Sequence, residues 1–126
     1  MKKIIVFLLA IFLISSCSIS NIGSKDLNGK WYLQEAFCYC YFGDNFDFSS
    51  HTLTFDLETK KVLVKNKAAS YFIEQNGTYD IKTKVNELTI NNAVSFTYEI
   101  LGSTLTLVKI DEPNIADDEL TLIYKR

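Results

Sequence analysis

Apolar and polar residues alternate along most of the chain after residue 25, with a period of two. Because successive side chains of a β-strand point to opposite faces, this period predicts strands with one buried face. Turn residues bound eight such segments. Their apolar positions are Trp31 and Leu33; Leu53, Phe55 and Leu57; Val62 and Val64; Tyr79 and Ile81; Leu88 and Ile90; Phe96, Tyr98 and Ile100; Leu105 and Leu107; and Leu120, Leu122 and Tyr124.

Short polar connections separate most of these segments, among them Glu58-Thr59-Lys60, Asn76-Gly77 and Gly102-Ser103. Such connections join antiparallel neighbours, and one apolar face per strand is typical of an antiparallel sheet. A sandwich or a barrel would bury these faces, and a barrel also removes exposed strand edges. The sequence therefore predicts an all-β fold, an antiparallel eight-stranded meander that closes into a small barrel.

The parity of the first segment is ambiguous. If Trp31 points inward, strict alternation also turns Glu35 inward and Cys38 and Cys40 outward. A β-bulge near Glu35-Ala36 would reverse the parity, exposing Glu35 and burying both cysteines. The sequence is compatible with either arrangement.

The first 16 residues have a different pattern. Lys2 and Lys3 precede an apolar run from Ile4 to Ile14, as in a signal peptide, and the run is shorter than the roughly 20 residues of a spanning helix. It ends in Leu13-Ile14-Ser15-Ser16-Cys17, which resembles the lipobox of bacterial lipoproteins. The resemblance implies cleavage before Cys17 and acylation of that residue; the alternative is an ordinary signal peptide cut near Ser16, leaving a free thiol.

Three parts are therefore predicted: a lipoprotein signal peptide (1–16), a lipidated cysteine with a flexible tether (17–24), and a barrel domain (25–126). Several acyl chains on Cys17 would anchor the protein stably to membrane lipid. The expected location is the cell envelope. The residue directly after Cys17 is Ser18 and not Asp, which by resemblance to proteobacterial sorting rules permits delivery to the outer membrane. Cleavage would remove Lys2 and Lys3, changing the formal charge from −2 to −4, and this acidic balance argues against nucleic acid as a partner.

A family resemblance starts at Leu27. The segment Leu27-Asn28-Gly29-Lys30-Trp31 resembles the Gly-x-Trp opening of the lipocalin and calycin superfamily. Gly77–Ile81, Leu88–Ile90 and Leu120–Leu122 look like the repeated pattern of small bacterial lipocalin-like lipoproteins. The resemblance implies that Gly29 and Trp31 close one end of the barrel without a catalytic role. An eight-stranded barrel is only just wide enough to be filled by its own side chains.

The densest aromatic stretch follows the first strand and contains Tyr39, Tyr41, Phe42, Phe46 and Phe48. Aromatic side chains at a barrel mouth could stack on a small apolar ligand or clasp a protein partner of the envelope. The alternative is that they plug the barrel. The acidic loop Asp111–Glu119 is a second candidate surface, although a solvated loop explains its charge better than a Ca²⁺ site.

Cys38, Cys40 and His51 are weak candidates for a Cu(I) or Zn(II) site. A Cys-x-Cys pair on an extended strand is poorly placed for a disulfide, because the two side chains point in parallel directions. No catalytic motif and no cofactor signature accompany the single histidine, so no enzyme activity is predicted. The leading hypothesis is a binding module for a small apolar ligand or peptide; the alternatives are an interaction or inhibitor lipoprotein with a filled barrel, and a thiol-based metal binder or redox sensor.

Overall fold

The computed structural model describes residues 26–38, 40, 42–43, 45–67, 70–110 and 120–126. Eight strands lie in this part of the chain. They are β1 (Gly29–Phe37), β2 (Thr52–Asp56), β3 (Lys61–Lys65), β4 (Gly77–Lys84), β5 (Glu87–Ile90), β6 (Val94–Leu101), β7 (Thr104–Lys109) and β8 (Thr121–Lys125). A 3-10 turn at Phe48–Ser50 precedes β2.

Each strand pairs antiparallel with the next, and β8 pairs with β1 to close a barrel in the order β1 to β8. The predicted eight-stranded antiparallel barrel is thus confirmed, and the sandwich is excluded. Because every strand has a neighbour on both sides, no full-length edge is left to recruit another chain.

Two predicted strand ends were wrong by one residue. Leu57 lies in the turn after β2, and Leu120 lies just before β8. The first difference has a local cause, because Asp56 Oδ1 accepts hydrogen bonds from the backbone N–H groups of Glu58 (3.0 Å) and Thr59 (3.3 Å). A short side chain that bonds the backbone two and three residues ahead stabilises a turn against the sheet ladder.

The antiparallel order places alternate connections at opposite ends of the barrel. One end, called the floor here, contains residues 26–28, the turns after β2, β4 and β6, and the C-terminal Arg126. The other end, called the loop end, contains the connections after β1, β3, β5 and β7. The tightest floor turns use left-handed residues, Asn86 (φ 61°) and Gly102 (φ 61°), which Asn and Gly adopt more readily than other residues.

Sixteen buried apolar residues form one cluster inside the barrel. At the floor, Trp31 is completely buried, and its Nε1–H donates to the carbonyl oxygen of Leu27 at 2.8 Å. The guanidinium of Arg126 lies 4.4 Å from the centre of a Trp31 ring, and its Nη1 donates to the carbonyl of Asp26 at 2.6 Å. These contacts hold both ends of the described chain against the base of the core.

A bulge interrupts β1. Its pairing with β8 shifts between Leu33 and Glu35, so Gln34 is the extra residue. Glu35 is exposed and Ala36 packs against the core. Of the two arrangements compatible with the sequence, the bulged one is present, but it does not bury both cysteines: Cys38 is half-buried and Cys40 is exposed, because β1 ends at Phe37 and regular alternation ends with it.

Buried tyrosine makes the fold sensitive to alkali. Tyr124 on β8 is 2% exposed, and burial raises its pKa above the ordinary value of 10.0. The unfolded chain therefore loses the phenolic proton near pH 10 while the folded chain keeps it, so the contribution of Tyr124 to stability is present below pH 10 and declines above it. We expect Tyr124→Phe to reduce the alkaline slope of the unfolding free energy by up to about 1.4 kcal/mol per pH unit. Urea denaturation between pH 8 and 11 measures this slope; identical slopes in the variant and the wild type would contradict the assignment.

Candidate functional site

An aromatic cluster covers the loop end of the barrel. It consists of Phe42, Phe46 and Phe48 from the connection after β1, Phe72 from the connection after β3, and His51 at the start of β2; these five residues are called the lid below. The four phenylalanines are half-buried, whereas His51 is 3% exposed. The lid thus combines exposed apolar surface with one polar ring beneath it.

The rings contact one another at ordinary aromatic distances. Phe46 lies 4.8 Å from Phe48 and 5.0 Å from Phe42 between ring centroids. Phe46 also stacks on the His51 ring at 5.6 Å with an interplanar angle of 16°, and Phe72 meets the same ring edge-on at 5.0 Å. Offset and edge-to-face arrangements at these separations are the favoured ones for aromatic pairs.

A 3-10 turn positions Phe48 and His51. Asp47 caps this turn: its Oδ1 accepts from the backbone N–H of Ser49 at 3.0 Å and from the Ser49 hydroxyl at 2.5 Å. The Ser49 hydroxyl bond is the largest cause that holds the pKa of Asp47 below its ordinary value. The backbone N–H of His51 then donates to Phe48, and the carbonyl of His51 accepts from Leu33 on β1, both at 3.0 Å. These bonds fix the histidine at the junction of loop and barrel.

Asn66, in the connection after β3, forms a hydrogen bond with the side chain of His51. Asn66 Oδ1 lies 3.0 Å from His51 Nδ1. The Asn66 amide nitrogen donates to the carbonyl of Glu74 at 2.8 Å and to Asn76 Oδ1 at 3.1 Å, and Asn76 Oδ1 also accepts from the backbone N–H of Asn66 at 2.7 Å. The connection after β3 is therefore closed on itself by Asn66, and the same residue contacts the lid.

His51 is one of the residues that line a small cavity. Its volume is about 10 Å³, at the lower limit for one water molecule. Residues of the connections after β1 and β3 and of three strands line it, including Thr52, Phe72 and Tyr124. His51 Nε2 is buried and has no hydrogen-bond partner in the described part of the chain.

The aromatic residues predicted from the sequence are only partly those of the lid. Phe42, Phe46 and Phe48 come together, while Tyr39 and Tyr41 lie outside the described residues. Phe72 was missed because it is distant in sequence, although Tyr71-Phe72-Ile73 is an apolar run in an otherwise polar connection. His51, a weak candidate to join the cysteines in a metal site, packs against the rings of Phe46 and Phe72.

Cys38 and Cys40 form a disulfide, contrary to the expectation of poor geometry. The expectation assumed an extended strand, whereas the chain bends at Cys38, which brings the two Cα atoms to 5.2 Å; this separation is usual for a disulfide. Bridged sulfurs are not thiolate ligands. Within the described ranges, no group of three or more His, Cys, Asp or Glu side chains is placed to hold a metal ion.

A second concave surface lies on the side of the barrel near the floor. The first half of β4 pairs with β3 and its second half with β5, which leaves a groove of about 290 Å³ lined by Leu57, Lys60, Ile81, Lys82 and Thr83. The lysines beside this short exposed edge are of the kind that discourages strand addition. The split pairing of β4 therefore accounts for the groove without a ligand, whereas no strand pairing accounts for the aromatic rings of the lid.

Other predicted features, namely Cys17 with the signal peptide, the tether, and the acidic loop Asp111–Glu119, lie outside the described residues. Among the helices of the described part, none is both long and apolar enough to cross a membrane. Comparison with known proteins finds no matching family model and no significant match to a curated protein. The functional interpretation therefore depends on the residues of this chain.

Proposed function

We propose that this protein is a membrane-anchored, non-catalytic binding protein of the bacterial cell envelope. Its ligand is a small apolar molecule or an apolar peptide side chain, and its binding site is the lid. The observation that carries the proposal is the cluster of four half-buried phenylalanine rings at the loop end. Half-buried aromatic rings at a loop-bearing end provide apolar contact surface with few conformations to freeze on binding.

The filled interior favours the lid over the barrel cavity as the binding site. The core cluster occupies the barrel, as expected for eight strands closed on their own side chains, and the cavity beside His51 is the size of one water molecule. The apolar body of a bound group would therefore lie at the lid, because the space beneath it admits no more than a group the size of a water molecule.

The membrane anchor is proposed from the lipobox resemblance at Cys17. Residue 26 lies at the floor, so an anchor joined to it by a short tether would leave the lid at the end directed away from the bilayer. Gly29 begins β1 with φ 106°, and Trp31 is buried above it; this geometry supports the proposed kinship with lipocalin-like lipoproteins.

A second candidate function has one specific observation in its favour. A barrel without a roomy cavity suits an interaction or inhibitor lipoprotein, in which the loop end contacts a protein of the envelope. The lid would then receive an apolar side chain of that partner, which is also the peptide form of the main proposal. Metal binding by Cys38 and Cys40 would require their disulfide to be reduced first.

The proposal is tested on the mature protein in lipid nanodiscs, in which the phenylalanines of the protein are replaced by 4-fluorophenylalanine. The probe is unlabelled N-acetyl-phenylalanine amide. We expect saturable ¹⁹F shifts in the lid phenylalanines and none in Phe96, which is completely buried. Phe72→Ser removes one ring, and we expect it to weaken binding roughly fivefold, as one aromatic contact is worth about 1 kcal/mol.

The matched control is Val85→Ser in the floor turn after β4, where Val85 is 81% exposed. This variant loses an apolar side chain far from the lid and should bind like the wild type. Absence of saturable lid shifts, or equal weakening in Val85→Ser and Phe72→Ser, would refute the lid as the binding site.

A further inference from the structure

We propose that the ligand of the lid is a phenol, such as a tyrosine side chain, whose hydroxyl group donates a hydrogen bond to His51 Nε2. This inference rests on the proposed binding function of the lid and adds the chemical class of the ligand. It is carried by a buried polar atom without a described partner, which belongs to a residue that lines a water-sized space and packs against two aromatic rings.

The hydrogen bonds of Asn66 decide which nitrogen of His51 is the acceptor. The carbonyl of Glu74 can only accept, so the group 2.8 Å from it must be the amide nitrogen of Asn66. The Asn66 oxygen then faces His51 Nδ1 at 3.0 Å and accepts its proton. In the neutral ring, Nε2 consequently has a free lone pair, which requires a donor.

A buried acceptor without a partner destabilises the folded chain, because it has lost its hydrogen bonds to water. Tyr124 lines the same cavity, yet Nε2 has no partner among the described residues. A hydroxyl group is a donor small enough for the space of about 10 Å³ that His51 helps to line. An ionised carboxylate has no proton to donate to the lone pair of Nε2. A metal ion would need further ligands, and no group of three or more His, Cys, Asp or Glu side chains is placed to hold one in the described part of the chain.

The aromatic rings around His51 favour a ligand whose hydroxyl group is attached to an aromatic ring. Phe46 lies over one face of the His51 ring and Phe72 over its edge, and the two phenylalanine rings are perpendicular with centroids 6.2 Å apart. Both are half-buried, so each retains surface for a further ring. A phenol combines the flat apolar body that these rings contact with one terminal donor that Nε2 requires.

The experiment compares two probes that differ by one hydroxyl group, N-acetyl-tyrosine amide and N-acetyl-phenylalanine amide, on the mature protein in nanodiscs. We expect the tyrosine derivative to bind roughly tenfold more tightly, as a buried acceptor gains a donor. The preference should disappear in His51→Phe, which keeps a flat ring and removes the nitrogen. In the wild type, the ¹⁵N resonance of His51 Nε2 should move upfield with the tyrosine derivative and stay in place with the phenylalanine derivative; this measurement requires no variant.

The possible outcomes separate the two proposals. Equal binding of both probes at the lid would overturn the phenol assignment and leave the proposed function intact. A tyrosine preference that persists in His51→Phe, or an unmoved Nε2 resonance, would also overturn it, because the hydroxyl would then bond elsewhere. Failure of both probes to bind would overturn the proposed function and this inference together.

Discussion

Replacing Trp31 with alanine is expected to lower the free energy of unfolding by roughly 3–5 kcal/mol, the usual loss for a large buried aromatic side chain. Trp31 is completely buried at the floor. Its removal leaves a cavity beneath the core, deprives the Leu27 carbonyl of its 2.8 Å donor, and takes away the ring against which Arg126 lies at 4.4 Å. The two ends of the described chain would then lose their common support.

Urea denaturation followed by circular dichroism measures this loss, since the variant has no tryptophan fluorescence. The matched control is Tyr32→Ala, one residue along β1, where the side chain is 41% exposed and the expected loss is below about 1 kcal/mol. Trp31→Phe should fall between the two, because it refills part of the space without the N–H donor. A Trp31→Ala loss no larger than that of Tyr32→Ala would show that the floor does not depend on this ring.

The second large effect concerns the membrane anchor. Substitution of Cys17 by alanine is expected to abolish incorporation of labelled palmitate, because the variant lacks the thiol that we propose as the acceptor of the diacylglyceryl group. Once the leader is removed, the unlipidated chain should partition into the aqueous phase on detergent phase separation, whereas the wild type should enter the detergent phase. Two or more acyl chains anchor a protein stably, while a chain without them has no comparable hydrophobic signal.

The control for this experiment is the double variant Cys38→Ala/Cys40→Ala. It removes the two other cysteines, which form a disulfide, and should retain the label. Intact mass spectrometry of the wild type should show the loss of residues 1–16 and the addition of acyl chains. Continued palmitate labelling of Cys17→Ala would refute the proposed anchor.

The two ends of the barrel have different roles in this interpretation. The floor contains the completely buried Trp31 and the backbone contacts of Arg126, so its variants should mainly change stability. The lid contains half-buried rings on two connections, so its variants should mainly change binding. Loops on a closed scaffold are a common location for binding residues because they can vary without disturbing the strands.

The alternation of residues predicted the strands because the side-chain period of a strand is local. Leu105 and Leu107, or Leu88 and Ile90, each define a buried face without reference to the rest of the chain. The short polar turns added the antiparallel order, and eight such strands favoured closure. The limits of the local rule appear at Leu57, where the Asp56 turn ends β2, and at Gln34, where the pairing with β8 introduces a bulge.

By itself, the sequence determined the all-β class, the strand order and the identity of the core face, since each follows from neighbours one or two residues apart. Only the tertiary structure brought Phe72 and Asn66 to His51 and placed Arg126 over Trp31. These contacts join residues 15 to 95 positions apart, from His51–Asn66 to Trp31–Arg126. They depend on the path of the loops and of the chain ends after the barrel has closed, and the alternation within the strands does not specify those paths.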